Sequence, residues 1–160
     1  MREDYGKKAE KKIREWLDRP EDGYCFKRLP DQTSGLVGST NECDLLLYKY
    51  PYMYYIESKS VSSESSKDRF DFSLITEFQH DSLLKVSQIE GVFGYVIVLF
   101  VVHQRAFIFD IRDIKKLEDE GVKSLNIKKI DKWGIPYKEI KTIPNKRKEL
   151  LDYDKVDNVL

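Results

Sequence analysis

The sequence has no apolar run long enough to span a membrane: the longest, Tyr95 to Val102, is far shorter than the roughly 20 residues a spanning helix needs. The opening residues, Met1 to Lys8, are charged from the second position and lack the apolar centre of a secretory signal, so a cytoplasmic protein is expected. Cysteine is scarce. Cys25 and Cys43 allow at most one disulfide, and with no C-x-x-C or Cys/His cluster to suggest structural zinc, both read as plain thiols. The two histidines, His80 and His103, share no ligand spacing with the cysteines and have no catalytic partner in the sequence. No G-x-x-x-x-G-K loop occurs, which argues against an NTPase and any nucleotide cofactor. Net charge is also lacking: 28 Lys and Arg balance 28 Asp and Glu, which argues against indiscriminate binding of polyanions and makes any contact with nucleic acid depend on where the charges lie.

What is present fits one ordinary domain over residues 1–160, with 41% hydrophobic residues for a core and 35% charged residues for its surface. Charge is uneven along the chain. From Lys123 to Glu149 nine Lys and Arg face only Asp131, Glu139 and Glu149, a stretch that suits either phosphates or solvent.

Apolar spacing predicts a helix over Tyr5–Leu17, through Ala9, Ile13, Trp16 and Leu17, ended by Pro20 and Gly23. A looser segment, Tyr24–Asn41, carries a polar loop at Gln32–Asn41. Two β-rich runs, Asp44–Tyr50 and Tyr52–Lys59, read as an antiparallel pair around Pro51. Ser60–Asp71, rich in serine and charge, reads as a flexible loop, and Leu74–Glu90 as a second helix through Phe78, Leu83, Val86 and Ile89. Gly94–Val102 has the continuous β-branched and aromatic character of a strand buried on both faces, with Ala106–Ile111 as its neighbour. A short helix at Arg112–Glu120, a strand at Leu125–Ile130, a turn at Gly134–Pro136 and a weakly helical end at Leu150–Leu160 complete the order. The expected class is α/β, a mixed central sheet flanked by helices.

One constellation carries chemistry. Side chains alternate along a strand, so Glu57 and Lys59 share a face while Ser58 points away. If the two runs pair around Pro51, Asp44 at the start of one lies beside Glu57–Lys59 at the end of the other. Two carboxylates and an ammonium at one end of a hairpin suit metal-dependent phosphodiester hydrolysis. Mg²⁺ takes a few hard oxygens, here Asp44, Glu57 and the Ser58 carbonyl, plus water and phosphate. The metal acidifies water and polarises phosphate, and Lys59 orients the water or offsets charge on the phosphate. The plain alternative is a surface Glu/Lys pair of little consequence.

The arrangement D-x₁₂-E-x-K resembles that of the PD-(D/E)XK nuclease superfamily, with Cys43 where the superfamily name has proline. Gly6-Lys-Lys-Ala-Glu10 is similar to the G-x-x-x-E helix with which Holliday-junction resolvases lend a glutamate to the site. Phe78-Gln79-His80 resembles the place where they present a glutamine. Gly94–Val98, Lys123–Leu125, Ile135–Ile140 and Leu151–Val156 look like the closing segments of RecU-type resolvases of Gram-positive bacteria and their phages. The resemblance implies a restriction-endonuclease-like fold, a Mg²⁺-dependent (or Mn²⁺-dependent) endodeoxyribonuclease, and a site of Glu10, Asp44, Glu57, Lys59 and Gln79. It further implies branched DNA as partner, a role in recombination and repair, and a bacterial or phage-encoded protein. RecU-type enzymes insert a long stalk between the first helix and the first catalytic acid, where this chain has only Cys25–Cys43.

Three readings stay open: a structure-selective endonuclease, expected as a homodimer because a symmetric junction needs two related sites; a nuclease of the same fold acting on restriction-type or flap substrates; and a non-catalytic DNA-binding module. Lys7, Lys11, Lys27 and Arg28 are candidate phosphate contacts. The tyrosines Tyr48, Tyr50, Tyr52, Tyr54 and Tyr55 suit strand packing, base stacking or a dimer surface.

Overall fold

The computed structural model describes residues 5–18, 20–29, 41–140, 142–143 and 152–153. The first helix, α1 (Tyr5–Leu17), forms where the spacing predicts it. Ile13, Trp16 and Leu17 are buried on one face, while Lys7, Lys11 and Glu15 are exposed. Three antiparallel strands follow: β1 (Tyr24–Arg28), β2 (Leu45–Lys49) and β3 (Tyr52–Val61). Phe26 stands opposite Leu47, and Leu45 opposite Ile56, so the hairpin around Pro51 has the expected pairing. The chain then crosses through β4 (Arg69–Asp71), a 3₁₀ turn at Phe72–Leu74 and α2 (Glu77–Val86) into β5 (Val92–Phe100), parallel to β3. β6 (Arg105–Asp110) returns antiparallel beside β5 and leads into α3 (Ile111–Asp119). β7 (Ser124–Asn126) pairs with β4, and β8 (Lys138–Ile140) borders the sheet beside β6. β9 (Thr142–Ile143) and β10 (Asp152–Tyr153) form a separate two-residue pair. The main sheet has the order β1-β2-β3-β5-β6-β8.

Alternation along β5 divides the core between the two faces of this sheet. Val96, Val98 and Phe100 join Leu83 of α2 and Ile114 and Leu117 of α3. Ile97 and Leu99 join Ile13, Trp16 and Leu17 of α1 with Leu45, Leu47 and Ile56. Val96 to Phe100 are at most 1% exposed, as a strand covered on both faces requires. Gly94 is where α2 comes closest: its N–H donates to Ser87 Oγ at 2.9 Å, and a Cβ there would stand 2.6 Å from the Leu83 carbonyl oxygen. Among the described residues no helix is long and apolar enough to cross a membrane.

Several local expectations are corrected. The segment Ser60–Asp71 is not a free loop. β3 runs on to Val61, β4 finds a partner in β7, with Phe70 opposite Leu125, 55 residues away, and Asp68 is held by His103 and Lys128 at 2.6 Å each. The helix expected over Leu74–Glu90 is shortened to α2 because Thr76 caps it; Phe78 and Ile89, assigned to its apolar face, are exposed. The strand expected at Leu125–Ile130 breaks after Asn126, whose side chain accepts the Lys128 N–H and starts a 3₁₀ stretch, Ile127–Trp133. Asp152 and Tyr153 are extended where a helical end was expected, and the rest of Leu150–Leu160 lies outside the described residues, as does all of the polar loop Gln32–Asn41 except Asn41. β1 and β8, the two edge strands, had no counterpart in the sequence reading.

Candidate active site

Tyr54 and Ile56 of β3 belong to the α1 side of the core, so alternation sends Glu57 and Lys59 toward α2 and Ser58 and Ser60 toward α1. Asp44, just before β2, is fixed from three sides. Its N–H donates to the Ile56 carbonyl at 3.2 Å, its carbonyl accepts the Leu29 N–H at 2.9 Å, and its Oδ2 accepts the Ser58 N–H at 2.8 Å. The Asp44 carboxyl therefore lies beside Glu57, and the two carboxyls interact electrostatically.

Glu57 is only 1% exposed. Its Oε1 accepts from Lys59 Nζ and from Gln79 Nε2, both at 2.7 Å. Gln79 Oε1 accepts from Lys59 Nζ at 3.1 Å, which closes a ring of three side chains. Glu57 Oε2 is sealed from solvent and has no hydrogen-bond partner among the described residues. Burial, then the Asp44 charge, pushes the Glu57 carboxyl up to about 7 against the pull of Lys59. Burial raises Asp44 too, opposed by the Ser58 N–H and by Lys59.

All six residues singled out from the sequence line one open cleft of about 430 Å³: Asp44, Glu57, Ser58, Lys59, Glu10 and Gln79, with Lys7 and Ser60 beside them. Glu10 reaches it from α1, but its Oε1 accepts Arg28 Nε at 2.5 Å, tying α1 to β1. Arg28 is thus engaged inside the protein, while Lys27 is exposed. A larger hollow of about 510 Å³ between α2, α3 and the Phe72–Leu74 turn contains His80, whose Nε2 lies 2.7 Å from Glu118 Oε2. Both histidines therefore have carboxylate neighbours that the sequence did not reveal, His103 on Asp68, and neither lines the cleft. Of the tyrosines, Tyr54 is buried and Tyr48, Tyr50 and Tyr52 are exposed. Both cysteines are free thiols, Cys43 in the core and Cys25 exposed.

Among the described residues no three His, Cys, Asp or Glu side chains converge tightly enough to hold a metal alone. A buried carboxylate with an oxygen lacking any donor, Glu57, and a half-buried one, Asp44, form the partial set that a hard divalent ion completes with backbone carbonyl, water and phosphate oxygens. Thr76 is the residue at this site that the sequence reading passed over. Its hydroxyl accepts the Gln79 N–H and its own N–H donates to Gln79 Oε1, a reciprocal cap announced by the T-x-x-Q spacing.

The family model for RecU, recombination protein U, matches residues 52–156, well over half of the chain. The match contains Glu57, Lys59 and Gln79 and begins after Asp44. A solved structure of Archaeoglobus fulgidus Hjc, a Holliday junction resolvase from an archaeal hyperthermophile, is similar over 68% of this chain and 78% of that one, at 14% identity and a TM-score of 0.44. No curated protein matches. The six-stranded mixed sheet with helices on both faces is the α/β architecture expected from the sequence, a mixed central sheet flanked by helices. The chain belongs to the recombination protein U family, a family of Holliday-junction resolvases.

Proposed function

We propose that this protein is a Mg²⁺-dependent endonuclease that acts as a homodimer on branched DNA, four-way junctions first. The observation that carries the proposal is the pairing of buried Glu57, with its donorless oxygen, and half-buried Asp44 in one open cleft. Two carboxylates so placed need a proton or a cation between them, and Asp44, Glu57 and the Ser58 carbonyl would hold Mg²⁺, with Mn²⁺ as substitute. When bound, the ion supplies Lewis-acid stabilisation of the phosphate and an activated water. Lys59, steered by Glu57 and Gln79, offers an ammonium on the cleft wall that offsets charge growing on the phosphate. Lys7 at the cleft draws the DNA backbone toward an otherwise acidic floor. A symmetric junction requires two such sites, which a two-fold dimer supplies.

One observation favours a second substrate class. β1 takes up Tyr24–Arg28, so only a short interval separates it from Asp44 where RecU-type enzymes carry a stalk, and a nuclease of the same fold on flaps would need none. Cleavage of four-way, flap, duplex and single-stranded DNA, with Mg²⁺ or EDTA, separates the two. Paired cuts in the four-way junction that require Mg²⁺ and vanish in a folded Asp44→Ala variant are expected, with a dimer in sedimentation and binding that weakens steeply with salt. Wild-type cleavage by Asp44→Ala, or cleavage in EDTA, refutes the site. A monomer that binds duplex as tightly as junctions refutes the substrate.

A further inference from the structure

Thr76 is exposed, stands outside the lining of the cleft, and precedes α2 in extended conformation, with φ −67 and ψ 154. Its hydroxyl accepts the Gln79 N–H at 3.3 Å, and its N–H donates to Gln79 Oε1 at 3.1 Å. In an isolated helix such a box only satisfies orphan donors of the first turn. Here the far end of the capping glutamine is also in the candidate active site. The same Oε1 accepts Lys59 Nζ, and Nε2 donates to Glu57 Oε1.

These contacts fix which way round the amide sits. Turned by half a rotation, the amide would set Nε2 against two donors, Thr76 N–H and Lys59 Nζ, and Oε1 against the Glu57 carboxylate. All three hydrogen bonds would be lost. With the amide held, Glu57 Oε1 is engaged by Lys59 and Gln79, and Oε2 is left as the oxygen without a donor. We propose that Thr76 is a positioning residue: its cap holds the sense of the Gln79 amide, and through that amide the orientation of Glu57 and Lys59. The inference rests on the nuclease reading for its consequence in catalysis, and on hydrogen-bond geometry alone for the positioning itself.

The test compares Thr76→Ala and Thr76→Ser with Asp110→Ala, which removes the equivalent cap of α3, where Asp110 accepts the Arg112 N–H at 2.9 Å away from the cleft. Thermal stability, kcat and KM on a four-way junction with Mg²⁺, and the ¹⁵N resonance of the Gln79 side-chain amide in metal-free protein are measured. Gln79→Glu assigns that resonance, since glutamate at this position also completes a capping box. Both alanine variants should lose stability to a similar degree. Only Thr76→Ala should lose about 10–100-fold in kcat, the usual effect of removing a group that orients a metal-site residue, with KM little changed. Thr76→Ser should restore kcat. The Gln79 amide pair should keep its two distinct proton shifts in wild type, Thr76→Ser and Asp110→Ala, and should move in Thr76→Ala, where the hydroxyl that anchors the Gln79 N–H is lost while the residue-76 N–H, Lys59 and Glu57 still face the amide. Unchanged kcat and unchanged amide shifts in Thr76→Ala overturn the inference, as does an equal loss of kcat in Asp110→Ala. A wild type that cleaves no DNA while the amide still responds to Thr76→Ala refutes the nuclease reading and upholds the positioning.

Discussion

Replacing Glu57 by glutamine should make the metal-free protein more stable at alkaline pH while abolishing cleavage. The folded protein raises this carboxyl from an ordinary 4.5 to about 7, because ionisation places a charge in a site 1% exposed and against Asp44. At roughly 1.4 kcal/mol per tenfold change in proton affinity, ionising Glu57 costs the folded state about 3 kcal/mol. The folded state binds this proton more tightly than the unfolded chain does. Its contribution is therefore complete below pH 4.5 and is lost as pH rises through about 7. A glutamine has the shape of the protonated acid and never ionises. Its oxygen can still accept from Lys59 and Gln79, and its NH₂ can donate to Asp44, where Glu57 Oε2 has no donor. Urea or thermal unfolding in EDTA from pH 4.5 to 8.5 should give curves for wild type and Glu57→Gln that meet at the acid end and separate by about 3 kcal/mol at pH 8, roughly 6–12 °C in Tm. Added Mg²⁺ should raise the wild type far more than the variant. Parallel curves across the whole range would show that Glu57 titrates normally and that the site is not the enclosed carboxylate pair described.

Two further perturbations test other links. Lys59→Ala should lower kcat by roughly 10²–10³-fold with DNA affinity little changed, since one preorganised cation is removed from the developing charge; competition binding beside single-turnover cleavage separates the two effects. Gly94→Ala puts a methyl group 2.6 Å from the Leu83 carbonyl oxygen and 2.8 Å from Ser87 Oγ, so it should destabilise by about 1–3 kcal/mol in urea unfolding as α2 is pushed off β5.

Elements whose burial is strong and local were legible in the sequence. Ile13, Trp16 and Leu17 at helical spacing place α1, and the unbroken apolar run of β5 announces a strand covered on both faces. The convergence of the candidate site residues was legible because alternation puts Glu57 and Lys59 on one side of β3, and the hairpin register brings Asp44 to them. What escaped lacks a local signal. In β8 only Ile140 is buried, and its place is decided by Ala106, 34 residues earlier. β4 has one buried residue, Phe70, amid charge and serine, and takes its order from β7 and from the hydrogen bonds of Asp68. The ring around Glu57 was half-visible: Gln79 was singled out by resemblance, but the threonine three residues before it, which a capping-box pattern would have marked, was not.

β3 also has a consequence for how this chain can change over time. Its residues face three different neighbours in strict alternation: the core under α1 through Tyr54 and Ile56, the cleft through Glu57 and Lys59, and the core under α2 through Val61. Exchange of one side chain alters one neighbour. An insertion or deletion of a single residue between Tyr52 and Ile56 would rotate every later position to the opposite face, sending Glu57 and Lys59 toward α1 and Ser58 toward Gln79. Natural variation in this strand should therefore consist of substitutions at constant length, with gaps confined to the turn at Pro51 and to the stretch beyond Val61.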